Sequence, residues 1–364
     1  MNMKNLSVLI KPASSLCNLR CKYCFYLDES KLRSHDSYGI MQEEVLEKLI
    51  EEISFAMEEG GTVNISFQGG EPTLAGLDYF RRFISLMGKN DKIRIIYSIQ
   101  TNGTMINEEW ARFFKENSFL VGVSLDGYES NTNAFRYDAS HKGAFLKILN
   151  GIEILRKEGV EFNILTVVTR DLAKHPKALM EFYRKHKFSY VQLIPCLPGL
   201  EDENDISLTP QLYAAFYKDF FREWKKEAEK GNVISVNLFE NLAGMLSGYP
   251  PYQCGMMGRC TVQYVVEANG NVYPCDFYCL DEDCTGNIRY SSFEAIRESE
   301  KAKAFIQHSY CEKQPCKNCE FRKICYGGCK RQNVCYLTDT YCAYQEVLRE
   351  ILPEISRMIS QNIK

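Results

Sequence analysis

Sixteen of the 364 residues are cysteine, and their grouping is the first chemical signal in the chain. Three lie within eight residues, in Cys17-Asn18-Leu19-Arg20-Cys21-Lys22-Tyr23-Cys24; Cys196 stands alone, and twelve fall between Cys254 and Cys342. Three thiolates on one short loop can wrap one side of a four-iron cluster and leave the fourth iron open to a small molecule. A closed structural site takes four protein ligands instead. A disulfide framework needs no such division. The first apolar run, Ser7–Ile10, is too short for an export signal, so a cytoplasmic location is expected. Clustered cysteines in that reducing compartment serve metal or redox chemistry.

The later cysteines form a second pattern. Cys254 and Cys260 come first; Cys260 is followed by nine residues, then Gly270, then four residues and Cys275. Cys316-x2-Cys319-x5-Cys325-x3-Cys329 and Cys342 follow. Spacing alone leaves zinc and iron–sulfur clusters both open. Cys196, Cys279, Cys284 and Cys311 default to small buried hydrophobes. Other residues with chemical reach sit at the ends of apolar runs. In Gln68-Gly69-Gly70-Glu71-Pro72 the glycines permit close backbone approach, and Glu71 can accept from an ammonium. Ser124-Leu125-Asp126-Gly127 ends another run. Downstream, the fork of donors on Arg136 suits a carboxylate.

Those runs imply the scaffold. Leu6–Ile10, Val63–Phe67, Ile93–Ile99, Leu120–Leu125, Phe162–Val168 and Val191–Ile194 are apolar and nearly uncharged, as strands buried on both faces are. Helical stretches at Glu43–Met57, Tyr79–Met87, Glu108–Lys115, Ala144–Lys157 and Lys177–Lys187 alternate with them. The fold class is α/β with a parallel sheet, closed or partial barrel or open, and its site belongs at the C-terminal strand ends. Glu201–Asp205 reads as an acidic loop. Thr209 and Pro210 predict a helix start that runs to about Lys230. Tyr264–Glu267 and Val272–Tyr273 flank an Asn-Gly hairpin turn. The rest of 254–342 reads mostly as loop for metal clusters to organise, before a final helix over Tyr344–Ile363. A net charge of -3, mixed along the chain, gives no reason to expect nucleic acid or an acidic membrane as partner. No stretch reaches the roughly 18 apolar residues of a membrane span.

The Cys-x3-Cys-x2-Cys motif followed by Phe25, with Gly69-Gly70-Glu71-Pro72 one strand later, resembles the radical S-adenosylmethionine (SAM) enzymes. The later cysteines match the auxiliary-cluster domain called SPASM. Closest is the anaerobic sulfatase-maturating family, over essentially the whole chain. The carrying segments include Leu9–Ser15, Cys24-Phe25-Tyr26, Phe67–Gly76, Glu161–Leu165 and Val272–Tyr278. Departures are Tyr128 and Thr132, where relatives often carry Pro and His. The resemblance implies a partial (β/α)6 barrel of TIM type over 1–235, a SPASM domain over 236–342 and a helix over 343–364.

By the same resemblance the cofactors are SAM and three [4Fe-4S] clusters. Cys17, Cys21 and Cys24 would hold the SAM cluster. Cys254, Cys260, Cys275 and Cys329 would hold one auxiliary cluster, and Cys316, Cys319, Cys325 and Cys342 the other, with Cys335 competing for the last place. SAM would meet Tyr23, Gly69, Gly70, Glu71, Ser124, Arg136 and Leu197. The implied reaction oxidises a Cys or Ser in a sulfatase Cys/Ser-x-Pro/Ala-x-Arg motif to Cα-formylglycine. A 5′-deoxyadenosyl radical takes a Cβ hydrogen, and Asp276 is the base. Flavodoxin or ferredoxin would donate electrons to a monomeric enzyme. The competing reading is a radical SAM maturase of ribosomally made peptides, forming a thioether, a carbon–carbon crosslink or an epimer.

Overall fold

The computed structural model describes residues 3–201, 205–308 and 313–362. Cys311 and residues 202–204 of the acidic loop lie outside them. Ten strands follow in chain order: β1 (Met3–Lys11), β2 (Met57–Phe67), β3 (Arg94–Thr101), β4 (Leu120–Ser124), β5 (Phe162–Val168), β6 (Tyr190–Pro195), β7 (Ser235–Val236), β8 (Val265–Glu267), β9 (Asn271–Tyr273) and β10 (Gly286–Asn287). The chain divides into two compact units. The first comprises Met1–Ser124, Arg136–Phe162 and Thr261–Gln307; the second comprises Leu125–Phe135, Asn163–Cys260 and His308–Lys364.

In the first unit the strand order is β10-β9-β8-β1-β2-β3-β4. The pairs β1/β2, β2/β3 and β3/β4 are parallel. Their registers align Ile10 with Phe67 and Phe67 with Ile99, so the strands deliver their C-terminal ends to one edge. Leu6, Val8, Ile10, Val63, Ile65 and Phe67 are buried. Phe67 meets the rings of Phe80 and Phe83 edge-on, with centroids 4.8 and 5.0 Å away, which fixes the end of β2 under its helix. The predicted helix over 43–57 ends at Ala56, and β2 begins at once at Met57.

The hairpin is present, but its placement was not legible in the sequence. β8 pairs in parallel with β1, matching Leu9 with Val265 and Lys11 with Glu267. β9 then folds back antiparallel on β8. The stretch beyond it holds more structure than expected. Helices Phe293–Arg297 and Glu300–Gln307 form there because Phe293, Ile296, Ala302 and Phe305 supply buried apolar contacts.

In the second unit β5, β6 and β7 run parallel. The helix Pro210–Glu229 starts as predicted, with Thr209 Oγ1 accepting from Leu212 N at 3.4 Å. Ion pairs Lys218–Glu346 and Lys225–Glu354, each 2.7 Å, line it against the final helix Ala343–Asn362. A further helix, Asn237–Leu246, follows β7, since Leu238, Phe239 and Leu242 bury one face. Among the described residues no helix is long and apolar enough to cross a membrane.

Candidate active site

Lys11 ends β1, and the chain turns through Pro12–Leu16 into Cys17. The turn after β2 lies directly on this segment. Gly70 N donates to Ser14 O at 2.8 Å, and Glu71 N donates to Leu16 O at 2.7 Å. A Cβ on Gly70 would stand 2.1 Å from Leu16 O, and one on Gly69, whose φ is +126°, would stand 2.8 Å from Ser14 O. The close approach that these glycines permit is therefore to the lead-in of the cysteine loop.

Glu71 is fully buried. Its Oε1 accepts from Thr73 N (3.1 Å), Thr73 Oγ1 (2.6 Å) and Thr101 Oγ1 (2.7 Å), and Oε2 accepts from Asn102 N (2.7 Å). A carboxylate has about four acceptor sites, and four protein donors engage this one. Burial raises its pKa, against the pull of those hydrogen bonds. Glu71 thus ties the turn to the end of β3, with three donors on Oε1 and one on Oε2.

Beside this tie, Asn102 Nδ2 donates to Asn18 Oδ1 at 2.8 Å and reaches Cys17 Sγ at 3.9 Å. Arg136 Nη1 lies 3.7 Å from Cys21 Sγ, and its guanidinium stands 5.3 Å from the Tyr23 ring centroid. Burial, reinforced by Glu71, pushes the Cys17 thiol up to about 11. Iron must therefore displace protons from these sulfurs as it binds. The loop supplies three soft ligands and cationic or amide donors to their sulfurs, a donor set that fits a four-iron cluster with one open position. Ser124 ends β4, half-buried. Leu197 belongs to the second unit, buried just past β6.

Asp276 sits three residues past β9. Phe277, next to it, packs edge-on against Phe25 of the cysteine loop, 4.9 Å between centroids. Asp276 Oδ1 accepts from Lys11 Nζ at 2.6 Å, and Oδ2 from Gln68 Nε2 at 2.8 Å. Lys11 is wholly buried and its ammonium lies 3.5 Å over the Tyr26 ring centroid. Tyr26 donates its hydroxyl to Glu267, which also takes Arg33 Nη1 at 2.7 Å. Glu29 completes the group, buried, with Oε2 lacking a hydrogen-bond partner. Burial pushes Glu267 up to about 7 and Glu29 up to about 8. Sequence reasoning gave Asp276 a role but assigned none to Lys11, Gln68, Tyr26, Glu29, Arg33 or Glu267. A cation at the end of a buried apolar strand was the available signal.

In the second unit Cys254, Cys260 and Cys329 form one group. After burial, the charges of Cys329 and Cys260 raise the Cys254 thiol. A Cβ on Gly255 would come within 3.2 Å of Cys329 N, a tight approach that would press the two loops apart by a few tenths of an ångström. A cavity of about 280 Å³ opens between Cys254 and Cys329, with Tyr213, Tyr217, Tyr336 and Tyr344 on its walls. The fourth residue assigned with this group, Cys275, belongs to the first unit. Cys316, Cys319, Cys325 and Cys342 form another group: burial and then Cys319, Cys342 and Cys316 push Cys325 up to about 11. Cys335 stands apart from it, its Sγ 3.4 Å from Cys196 O. Among the described residues no three His, Cys, Asp or Glu side chains close tightly on a single ion.

Residues 12–183 match the radical SAM superfamily, and residues 254–320 match an iron–sulfur cluster-binding domain. A cysteine-type anaerobic sulfatase-maturating enzyme of Clostridium novyi is 44% identical, over 90% of this chain and 89% of its own. One from Clostridium perfringens is 40% identical over the full length of both. A serine-type enzyme of Bacteroides thetaiotaomicron is 32% identical, over 90% of this chain and 83% of its own. The solved structure of native anSMEcpe with bound AdoMet and Cp18Cys peptide superposes with a TM-score of 0.89 at 39% identity, covering 99% of this chain and all of that one.

Two outcomes are expected. Gly70→Ala forces its Cβ into Leu16 O and shifts the approach to Cys17. Anaerobic reconstitution of that variant should lose about four of roughly twelve irons per chain, read by iron analysis and electron paramagnetic resonance; full iron content would show that the contact yields. The second concerns Glu29, which ionises near 4.5 when unfolded but near 8 when folded. Its contribution to stability is present below 4.5 and is lost as pH rises through 8. Glu29→Gln cannot ionise, so it should match the parent near pH 5 and melt about 2–4 °C higher near pH 8.5. A pH-independent difference in melting temperature would refute the assignment.

Proposed function

The chain belongs to the anaerobic sulfatase-maturating enzymes of the radical SAM superfamily, and from that premise we propose that its target residue is cysteine and that Asp276 takes the target's thiol proton. Identity to cysteine-type relatives at 40–44%, against 32% to a serine-type one, supports the choice of cysteine. The observation that carries the role of Asp276 is its setting. The carboxylate is held between Lys11 and Gln68 beside the cysteine loop, and its side chain is 14% exposed, open enough to receive a proton.

Bound SAM with its cluster supplies the 5′-deoxyadenosyl radical that removes a hydrogen atom from the substrate Cβ. Cys17, Cys21 and Cys24 are the residues to hold that cluster. Tyr23, the backbone of Gly69 and Gly70, Ser124, Arg136 and Leu197 are those to hold SAM, with Glu71 keeping the glycine turn in place. Asp276 would accept the thiol proton as the carbon–sulfur double bond forms, the one remaining electron would leave to an auxiliary iron–sulfur cluster of the cysteine-rich domain, and water would convert the thioaldehyde to the aldehyde with loss of hydrogen sulfide. Acceptance by a positioned carboxylate is ordinary general-base work. The auxiliary ligands are Cys254, Cys260, Cys275 and Cys329, and Cys316, Cys319, Cys325 and Cys342. A flavodoxin- or ferredoxin-type donor, a cytoplasmic location and action as a monomer complete the proposal.

The test is mass spectrometry of a peptide carrying Cys-x-Pro-x-Arg after anaerobic turnover. Loss of the thiol with gain of an aldehyde is expected, and faster than aldehyde formation from the serine analogue; a serine preference would overturn the cysteine assignment. Asp276→Asn should keep its iron and cleave SAM but lose about 10²–10⁴-fold in aldehyde. Full aldehyde formation by Asp276→Asn would remove it from the role.

A further inference from the structure

The group behind Asp276 contains a charge that neither cluster binding nor SAM binding uses. Lys11 is at the last position of β1, with no exposed surface. A buried ammonium without a counter-ion is costly, and even a well-paired buried ion pair often stabilises no more than an apolar pair of the same shape. Stability is therefore a poor reason for Lys11 to be there, and its partner points to another. The ammonium donates to Asp276 Oδ1 at 2.6 Å. Tyr26 closes it off from below at 3.5 Å, and its stem passes the turn at Gly69, where a Cβ would lie 3.3 Å from Lys11 Cβ. Strand β1 holds the backbone in register with Glu267 of β8. The head group therefore has a fixed origin and little room to turn.

The surrounding charges keep it a cation. Burial works against the ammonium, but the direct ion pair with Asp276 outweighs it, so Lys11 stays above its ordinary range. Arg33 takes Glu267, which leaves Asp276 as the carboxylate directly bonded to Lys11. Gln68 holds the other oxygen. With both oxygens anchored, the carboxylate plane is set, and the remaining lone pairs have a defined direction.

We propose that Lys11 is the positioning residue for the base: it orients the Asp276 carboxylate toward the target thiol and acts through that residue alone. This rests on Asp276 being the proton acceptor. Without the ammonium the carboxylate keeps only the Gln68 amide and can turn toward solvent. The radical step would then run ahead of proton removal, and oxidised peptide would fall relative to SAM consumed.

The experiment uses the reconstituted full-length enzyme, with Lys11→Met, Asp276→Asn and the double variant. Methionine keeps the unbranched stem beside Gly69 and removes the charge. The readouts are iron content, KM for the peptide, and aldehyde formed per 5′-deoxyadenosine. For Lys11→Met the ratio should fall about 10- to 100-fold, the usual range for loss of an orienting partner, with peptide KM within about twofold of the parent. The double variant should be no worse than Asp276→Asn, because two residues acting through one group do not add. An unchanged ratio in Lys11→Met, a loss confined to KM, or additive losses in the double variant would overturn the proposal. Should Lys11→Met fail to take up iron, Lys11→Gln, which keeps a donor without the charge, is read against the same outcomes. Full aldehyde formation by Asp276→Asn would instead show that the assignment of the base has failed.

Discussion

Where β1 and β2 leave the sheet side by side, the backbone of Gly69 and Gly70 lies against residues 14–16, closer than any side chain allows. Two hydrogen bonds of 2.8 and 2.7 Å join the two segments, and the buried carboxylate of Glu71 carries the connection on to Thr101 and Asn102 at the end of β3. Cys17 is the next residue after the joined stretch. The first thiol is thus positioned by strand register and by a backbone contact, before any metal is considered. Asn102 closes the circuit, since its amide N–H holds Glu71 while its side chain reaches Cys17 Sγ. Three strands meet in one hydrogen-bonded unit, and the cluster-binding loop is its outermost part.

A second consequence follows from the same strand ends. Lys11 leaves β1 opposite Glu267 of β8, and the two bring Tyr26, Arg33 and Glu29 into one buried polar group. Such a group is costly to bury, and Lys11, Arg33 and Glu267 are each held by a partner of opposite charge. Asp276 is the member with side-chain exposure, 14%, where Lys11, Arg33 and Glu267 have none. The carboxylate nearest to solvent is therefore held from behind, as a proton acceptor needs to be. Phe25 and Phe277 pack this corner onto the cysteine loop.

The second unit solves a different problem. Its cysteine loops have little regular structure of their own, and short helices, glycine contacts and a wall of tyrosines bring the thiols together. Gly255 lets one loop rest on Cys329, and Asn241 Oδ1 accepts from Tyr252 N at 2.9 Å to hold the approach to Cys254. Cys342 joins Cys316, Cys319 and Cys325, while Cys335 turns to the Cys196 carbonyl. The two candidates for the last place are seven residues apart; Cys342 is itself paired with Leu337 in a tight antiparallel bridge, and Cys335 lies two residues before Leu337. Spacing alone could not separate them.

The sequence by itself determined the strand–helix alternation, the three-cysteine loop, the glycine turn after β2 and the aspartate after Cys275, because each is a local pattern with a local cause. Apolar runs need burial, thiolates in one loop can share one metal site, and adjacent glycines permit close backbone approach. Tertiary structure decided what those residues do to one another. It assigned the glycines to a contact with residues 14–16 and engaged the Glu71 carboxylate with four protein donors. It also placed a hairpin from residue 265 onward beside β1, which alone brings Lys11 and Asp276 together across 265 positions of chain. No periodicity encodes that meeting. A lysine at a strand end and an aspartate after a hairpin are each ordinary surface residues until the sheet closes over one and leaves the other at its edge.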